Sequence, residues 1–320
     1  MKNSKLIDLY KKLLNIRLIE ETIADKYSEQ EMRCPVHLSV GQEASAVGVC
    51  DQLQKKDIVY SSHRSHAHYL GKKCNAQKMI SEIYGKENGC LGGRGGSMHL
   101  QDINNGFFAS ITIVSSAMGL AVGVALNLKR KKSKNICTVF IGDGSCEEGI
   151  FHETLIFSSV KRIPLLIICE NNLYSVYTHL KERQINNDFT KFASSHGIKS
   201  NRVDGNDVIK VHNETEKAIN YIRKTKKPFF LQLDTYRWRE HCGPNYDNHI
   251  GYRSNSEFLR WKKKCPIKKV ENIILKKKLL TKKNLDKISN NMQLKINKFF
   301  IKAKKSGFPK ASTFNNYVYK

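Results

Sequence analysis

The stretch "GDGSCEEG", residues 142–149, follows the apolar run "ICTVFI" at 136–141. A second apolar run, "PLLIIC" at 164–169, leads into "ENNLYSVYT" at 170–178, and 26 residues separate Gly144 from Asn171. Between them "EEGIFHETLIFSSVKR" has helical spacing. Two continuous apolar strands joined by one helix form a βαβ unit, whose strands point the same way and end side by side. Ligands of open α/β sheets bind at that carboxyl edge. Glycines at 142 and 144 allow a tight turn and let backbone N–H groups approach a phosphate. A carboxylate and an amide oxygen are hard donors that suit Mg²⁺. Taken singly, G-D-G and N-N are ordinary turn chemistry. Placed together at consecutive strand ends, they leave a Mg-diphosphate site and a pair of turns as the open alternatives.

Outward from this unit the pattern keeps alternating. Helices are expected at about 4–28 and 42–54. A strand is expected in "KDIVYSS" and a helix in "AQKMISEIYGK". Then come a glycine-rich loop "ENGCLGGRGGSMHLQD" and a helix with small residues, "SSAMGLAVGVALNLKRKK". "NRVDG" reads as a short strand or turn, "DVIKVHNETEKAINYIRKTKK" as a helix, and "PFFLQLDTYRW" as a strand. The expected fold is α/β, one domain over 1–320 with a mostly parallel sheet covered by helices on both faces. The N-terminal helix at about 4–28 and a lysine-rich helical extension at about 255–320 flank it. The glycine-rich loop opens no helix, so it is neither a P-loop nor a dinucleotide fingerprint, and it reads as a flexible loop.

Composition excludes several classes. The 320 residues carry a net charge of +26, and residues 261–320 hold 18 Lys against two acids. The basic excess is therefore largely a property of the C-terminal segment. Its lysines flank Ile273, Ile274, Leu275, Leu279 and Leu280, as expected of helices showing Lys to water. No nucleic-acid-binding signature or aromatic interleaving accompanies the charge, so nucleic acid is not the expected partner. No apolar stretch reaches the roughly 18–20 residues of a membrane span. The N-terminus is expected to be an amphipathic helix packing on another subunit, not a signal peptide. Nine Cys without a C-x-x-C pair point to reduced thiols and a cytoplasmic location. The run His63, His66, His68 lacks Cys or carboxylate partners at ligand spacing and is not read as a metal site.

GDG-x26-NN resembles the thiamine diphosphate motif. The chain from about residue 5 onward is similar to the alpha subunit of the decarboxylating component of 2-oxo acid dehydrogenase complexes, of the pyruvate, branched-chain and acetoin types. The likeness includes "HLSVGQEA" (37–44), "HRSHAHYL" (63–70), "GGRGGSMH" (92–99), "RVDGND" (202–207), "TYRWREHCGP" (235–244) and the closing "SGFPKASTFNNYVY" (306–319).

The resemblance implies thiamine diphosphate and Mg²⁺ as cofactors, with Asp143, Asn172 and the carbonyl of Tyr174 as metal ligands. It implies that Gly142, Gly144, Ser145, Arg64 and His63 serve the diphosphate, His63 standing where the family often has Tyr. Thr112 and Val114 align with backbone positions for the aminopyrimidine, and Val176 with the residue that props the cofactor. His241, His37 and His66 align with active-site histidines. Departures are "TIVSSAMG" (112–119), with Ser115 for Gly, and "REHC" (239–242), with Cys242 where some relatives carry a phosphorylated Ser. The family's reaction cleaves the C–C bond beside a carbonyl and passes the acyl fragment to an acceptor such as lipoamide. A beta subunit supplies the rest of the site, in an α2β2 assembly that works with a lipoyl-bearing acyltransferase. The alternative implied is a non-catalytic or pathway-specialised thiamine diphosphate-binding relative with another carbonyl substrate.

Overall fold

The computed structural model describes residues 1–313, 315 and 316, so the end of "SGFPKASTFNNYVY" lies outside the described residues. The chain opens with helix α1 (Asn3–Tyr27) and α2 (Glu43–Cys50), then strand β1 (Ile58–Ser61), α3 (His66–Gly71) and α4 (Ala76–Ile83). The glycine-rich segment leads to β2 (Phe107–Ser110), α5 (Ser116–Arg130), β3 (Cys137–Gly142), α6 (Gly149–Lys161) and β4 (Leu165–Asn171). A two-strand ribbon, β5 (Tyr174–Ser175) and β6 (Thr178–His179), and helices α7 (Leu180–Arg183) and α8 (Thr190–Ser195) follow. Next come β7 (Lys199–Asp204), α9 (Val208–Thr225) and β8 (Phe229–Asp234). Helices α10 (Asn255–Lys262), α11 (Pro266–Lys276) and α12 (Lys282–Lys305) follow, and then a single helical turn at Ala311–Thr313.

Six strands form one parallel sheet in the order β2-β1-β3-β4-β8-β7. Every residue of β4 is buried, which is why its sequence shows no polar alternation. Phe140 packs into the core on one face, while Val139 and Ile141 pack into the core on the other. One face is covered by α1, α2, α9, α11 and α12, the other by α5, α6 and α8. Local signals set the helix ends. Asp207 caps α9 through Ile209 N and Lys210 N. Thr281 and Asn284 make a reciprocal capping box on α12, and Pro266 starts α11.

Two expectations need correcting. Helix α1 does not wait for another subunit; its Leu9, Leu13, Ile19 and Ile23 are fully buried against the chain's own helices, including α11 and α12. The glycine-rich loop is not loosely held. Glu82, buried at the end of α4, accepts hydrogen bonds from the backbone N–H of Leu91 (2.7 Å), Gly93 (3.0 Å) and Gly95 (2.6 Å). One carboxylate thus gathers the turns of that loop.

The lysine-rich extension behaves as its pattern predicts. Ile274, Leu285, Ile296 and Phe300 are buried, and Lys276, Lys277 and Lys278 face solvent. Elsewhere α5 packs on α6 and the pair leaves Leu120, Ile156, Phe157 and Val160 exposed. Gly123, on the same side of α5, has open space beside it. Among the described residues no helix is long and apolar enough to cross a membrane.

Candidate functional site

The register brings Gly142 beside Glu170 and Asn171 beside Asp234, so the turns after β3, β4 and β8 share one edge. Asp143 leaves β3 there, fully buried, and accepts a hydrogen bond from Asn172 N at 3.4 Å. The two motifs read from the sequence are therefore in direct contact. Burial pushes the Asp143 carboxyl above its usual range, although the Arg183 guanidinium pairs with it and pulls the other way. Asn172 Nδ2 donates to Gln42 Oε1 at 3.0 Å, which fixes the amide so that Asn172 Oδ1 is the acceptor for Tyr174 N at 3.2 Å. Gln42 carried no signal of this role in the sequence.

Gly144 lies close against the Ser175 side chain. A Cβ there would sit 2.8 Å from Ser175 Oγ. The Ser115 hydroxyl, one of the departures noted above, donates to Ser145 O at 2.9 Å and ties the 112–119 segment to the turn after β3.

Arg64, from the turn after β1, is buried and aimed by its own bonds. Its Nη1 donates to Leu38 O at 2.7 Å and its Nη2 to His241 O at 3.0 Å. Burial, and then Arg237, hold this guanidinium down to about 10, so it remains a cation at neutral pH. His241 follows β8 on a loop zipped to the 36–40 segment. Trp238 N donates to Val40 O at 2.9 Å and Gly243 N to Val36 O at 2.8 Å. Gly41 permits this approach, because a Cβ there would meet the Trp238 ring at 2.5 Å. His37, His63 and His241 consequently sit edge to edge.

The same loop is framed by a buried ionic cluster that no motif announced. Asp247 pairs with Arg253 and Tyr252 OH, and lies 3.5 Å from Arg237. Arg253 also donates to the carbonyls of Arg237 (2.8 Å) and Trp238 (3.0 Å). Arg237 reaches across to the carbonyl of Val176 at 2.7 Å. Val176 has φ of +54°, a conformation a β-branched residue adopts only under constraint.

Arg64, Val114, Asp143, Asn172, Tyr174 and His241 line one narrow pocket, together with His63, Gly142, Gly144 and Ser145. Four other expected site residues do not line it. His66 is wholly buried, with Nε2 2.8 Å from Ser97 Oγ and Nδ1 3.4 Å from Glu20. Thr112 is half-buried, His37 stands behind His63 and His241, and Val176 is 42% exposed at the rim. A wider groove beside the glycine-rich loop holds none of the strand-end groups.

Burial, and then the Arg64 charge, depress the three imidazoles, to about 2 for His37, about 3 for His241 and about 4 for His63. All three are neutral near pH 7. Unfolded histidine titrates near 6.5, so the unfolded chain takes up protons that the folded chain refuses. The stability tied to these rings is complete above about pH 6.5 and falls as pH drops toward the folded values. The melting temperature should decline between about pH 7 and about pH 5, and His63→Tyr should decline less steeply. Thermal scans of both proteins across that window check this; equal slopes would contradict it. The comparison with the variant is needed because burial raises Glu20 and Asp143, whose contributions run the other way.

Residues 11–312 match the family described as "Dehydrogenase E1 component". The chain is 32% identical over 320 residues to the alpha subunit of acetoin:2,6-dichlorophenolindophenol oxidoreductase of Bacillus subtilis, covering 98% of this chain and 93% of that one. It is 32% identical over 288 residues to the pyruvate dehydrogenase E1 component subunit alpha of Rickettsia typhi, covering 90% and 87%. The corresponding subunit of Porphyra purpurea is 31% identical over 323 residues, covering 98% and 93%.

Proposed function

Since the chain belongs to the dehydrogenase E1 component family, we propose that it acts as the alpha subunit of a thiamine diphosphate-dependent dehydrogenase for a small 2-oxo acid or acetoin-like substrate. The observation that carries this reading is the contact of Asn172 with Asp143 at the ends of adjacent parallel strands. The site suits a Mg-diphosphate on two counts. Asp143 is a buried carboxylate that requires a cation, a need met in this structure by Arg183. Gly144 presents bare backbone to the pocket, where a Cβ would crowd the Ser175 side chain.

The roles then follow from chemistry. Asp143, the Asn172 amide oxygen and the Tyr174 carbonyl would hold Mg²⁺. Gly142 shapes the turn, and Gly144 and Ser145 would offer N–H groups to the diphosphate, with the Arg64 cation opposite. Thr112 and Val114 would receive the aminopyrimidine, and Val176 would lie against the cofactor. Bound there, thiamine diphosphate supplies the carbon nucleophile and the electron sink for C–C cleavage beside a carbonyl. His241 and His63 face the pocket as neutral imidazoles, each offering one ring nitrogen as a hydrogen-bond donor and the other as an acceptor at pH 7. His37 buttresses them, and His66, clamped between Ser97 and Glu20, positions the 37–40 segment through Glu20, which also accepts from Ser39 N at 2.8 Å.

A beta subunit completes such a site. The exposed apolar face of α5 and α6, continuous in sequence with Ile113 and Val114 at the pocket rim, is the surface we assign to it, in an α2β2 assembly. A lipoyl-bearing acyltransferase is the expected acyl acceptor. Coexpression with a beta-type subunit and a dye-reduction assay with pyruvate, branched-chain 2-oxo acids and acetoin test the proposal. Turnover should need both subunits, thiamine diphosphate and Mg²⁺. Cofactor binding without turnover on any of these would favour the pathway-specialised or non-catalytic alternative, for which the altered "TIVSSAMG" and "REHC" segments speak. Absence of cofactor binding would overturn both.

A further inference from the structure

Three histidines from distant segments meet beside the pocket, two of them lining it. His37 comes from the segment bridged to Gly243, His63 from the turn after β1, and His241 from the loop after β8. Their ring centroids are 4.7 Å apart for His37 and His63, 5.1 Å for His37 and His241, and 5.4 Å for His63 and His241. One ligating nitrogen from each lies within 4.8 Å of the other two. A second observation is independent of that spacing. His37 is 7% exposed, and its Nδ1 is buried with no hydrogen-bond partner among the described residues. An unmet buried nitrogen is costly and calls for a partner.

We propose that this triad binds one d-block divalent cation of the zinc and cobalt class, at a site that shares no ligand with Asp143, Asn172 and Tyr174. Imidazole nitrogens are borderline donors, suited to such ions and not to Mg²⁺. Tetrahedral Zn²⁺ with bonds of about 2.0–2.1 Å needs nitrogens about 3.4 Å apart, so modest rotations of the rings close the site. His63 and His241 are half-buried and able to make them. Three protein ligands leave a fourth position open. Arg64 Nη2, 3.4 Å from His241 Nδ1, places positive charge beside the triad. That charge opposes the metal ion and favours an anionic fourth ligand. The third imidazole is this chain's own departure, since His63 stands where the resembled family often has Tyr. An ion held by His63 and His241 would stand against the pocket that both line, and inhibition of turnover by zinc follows if the proposed function holds. The binding itself does not rest on that function.

The full-length chain, stripped with a chelator, is titrated with Co²⁺ and then Zn²⁺, without Mg²⁺ or cofactor. One Co²⁺ per chain with tetrahedral ligand-field absorption, displaced by Zn²⁺, is expected. His63→Tyr and His241→Gln should each weaken binding by at least about tenfold. His249→Gln, an exposed histidine on the same loop, should not. Circular dichroism checks that each variant is folded, and two ligand variants guard against one failing to fold. The proposal is overturned by no saturable binding, or by unchanged affinity in both ligand variants. A sulfur-to-cobalt charge-transfer band, which would put the ion on a thiol such as the exposed Cys242, overturns it as well.

Discussion

Asp247→Ala is expected to destabilise the folded chain by about 3–5 kcal/mol, the cost of stranding a buried charge. Asp247 is almost wholly buried, and both Arg237 and Arg253 are buried against it. Removing the carboxylate leaves two guanidinium groups facing each other with no anion and Tyr252 OH without its acceptor. Relaxation toward solvent is restricted, because Arg253 is tied to the carbonyls of Arg237 and Trp238. Asp247→Asn keeps the shape and one acceptor oxygen but loses the charge, so an intermediate loss is expected. Urea denaturation followed by circular dichroism measures both. A loss below about 1 kcal/mol for the alanine variant would show that the two arginines find other partners. The same cluster holds the loop that carries His241, so residual folded protein should also bind cofactor more weakly.

Asp143→Ala is the second large effect, and it acts on binding. The proposed Mg²⁺ set has one anionic ligand, and the other two are a neutral amide and a neutral carbonyl. Removing the anion should lower thiamine diphosphate affinity by at least about tenfold at millimolar Mg²⁺. Stability should change little or rise, because burial holds this carboxyl above its usual range. The Arg183 guanidinium keeps Glu147 as a partner. Calorimetric titration at fixed Mg²⁺ reads the effect. A variant that binds the cofactor as tightly as the parent chain refutes the ligand assignment.

The sequence discloses whatever is local or periodic. Strands β3 and β4 were legible because burial on both faces removes polar residues from them. The strand-end motifs were legible because tight turns restrict the residues allowed. Strand β2 and helices α3 and α8 are short, four to six residues each, and carry too few positions for a period to emerge. The β5–β6 ribbon is two residues a side. Gln42 was not legible, because its bond to Asn172 spans 130 residues. Nothing in the sequence links Arg237, Asp247 and Arg253 as a cluster; its meaning comes only from burial. Glu82 likewise appeared as one acid in a helix, while its role lies in three amide groups of a loop beyond it. His66 carried the right residue type in the right segment, yet the fold turns it inward, to Ser97 and Glu20.

Leu120, Ile156, Phe157 and Val160 stand on one outer face of α5 and α6, in open water when the chain is alone. Such a face is indifferent to what covers it, and a second copy of the same chain serves almost as well as the beta subunit proposed for it. The high positive charge supplies repulsion between copies, but salt screens it within about a nanometre. The chain made alone should therefore be kept dispersed by its lysines in dilute buffer and lose that protection as ionic strength rises. If the proposed beta subunit covers this face, the order in which the two subunits are synthesised and meet becomes part of how the assembly is obtained at all.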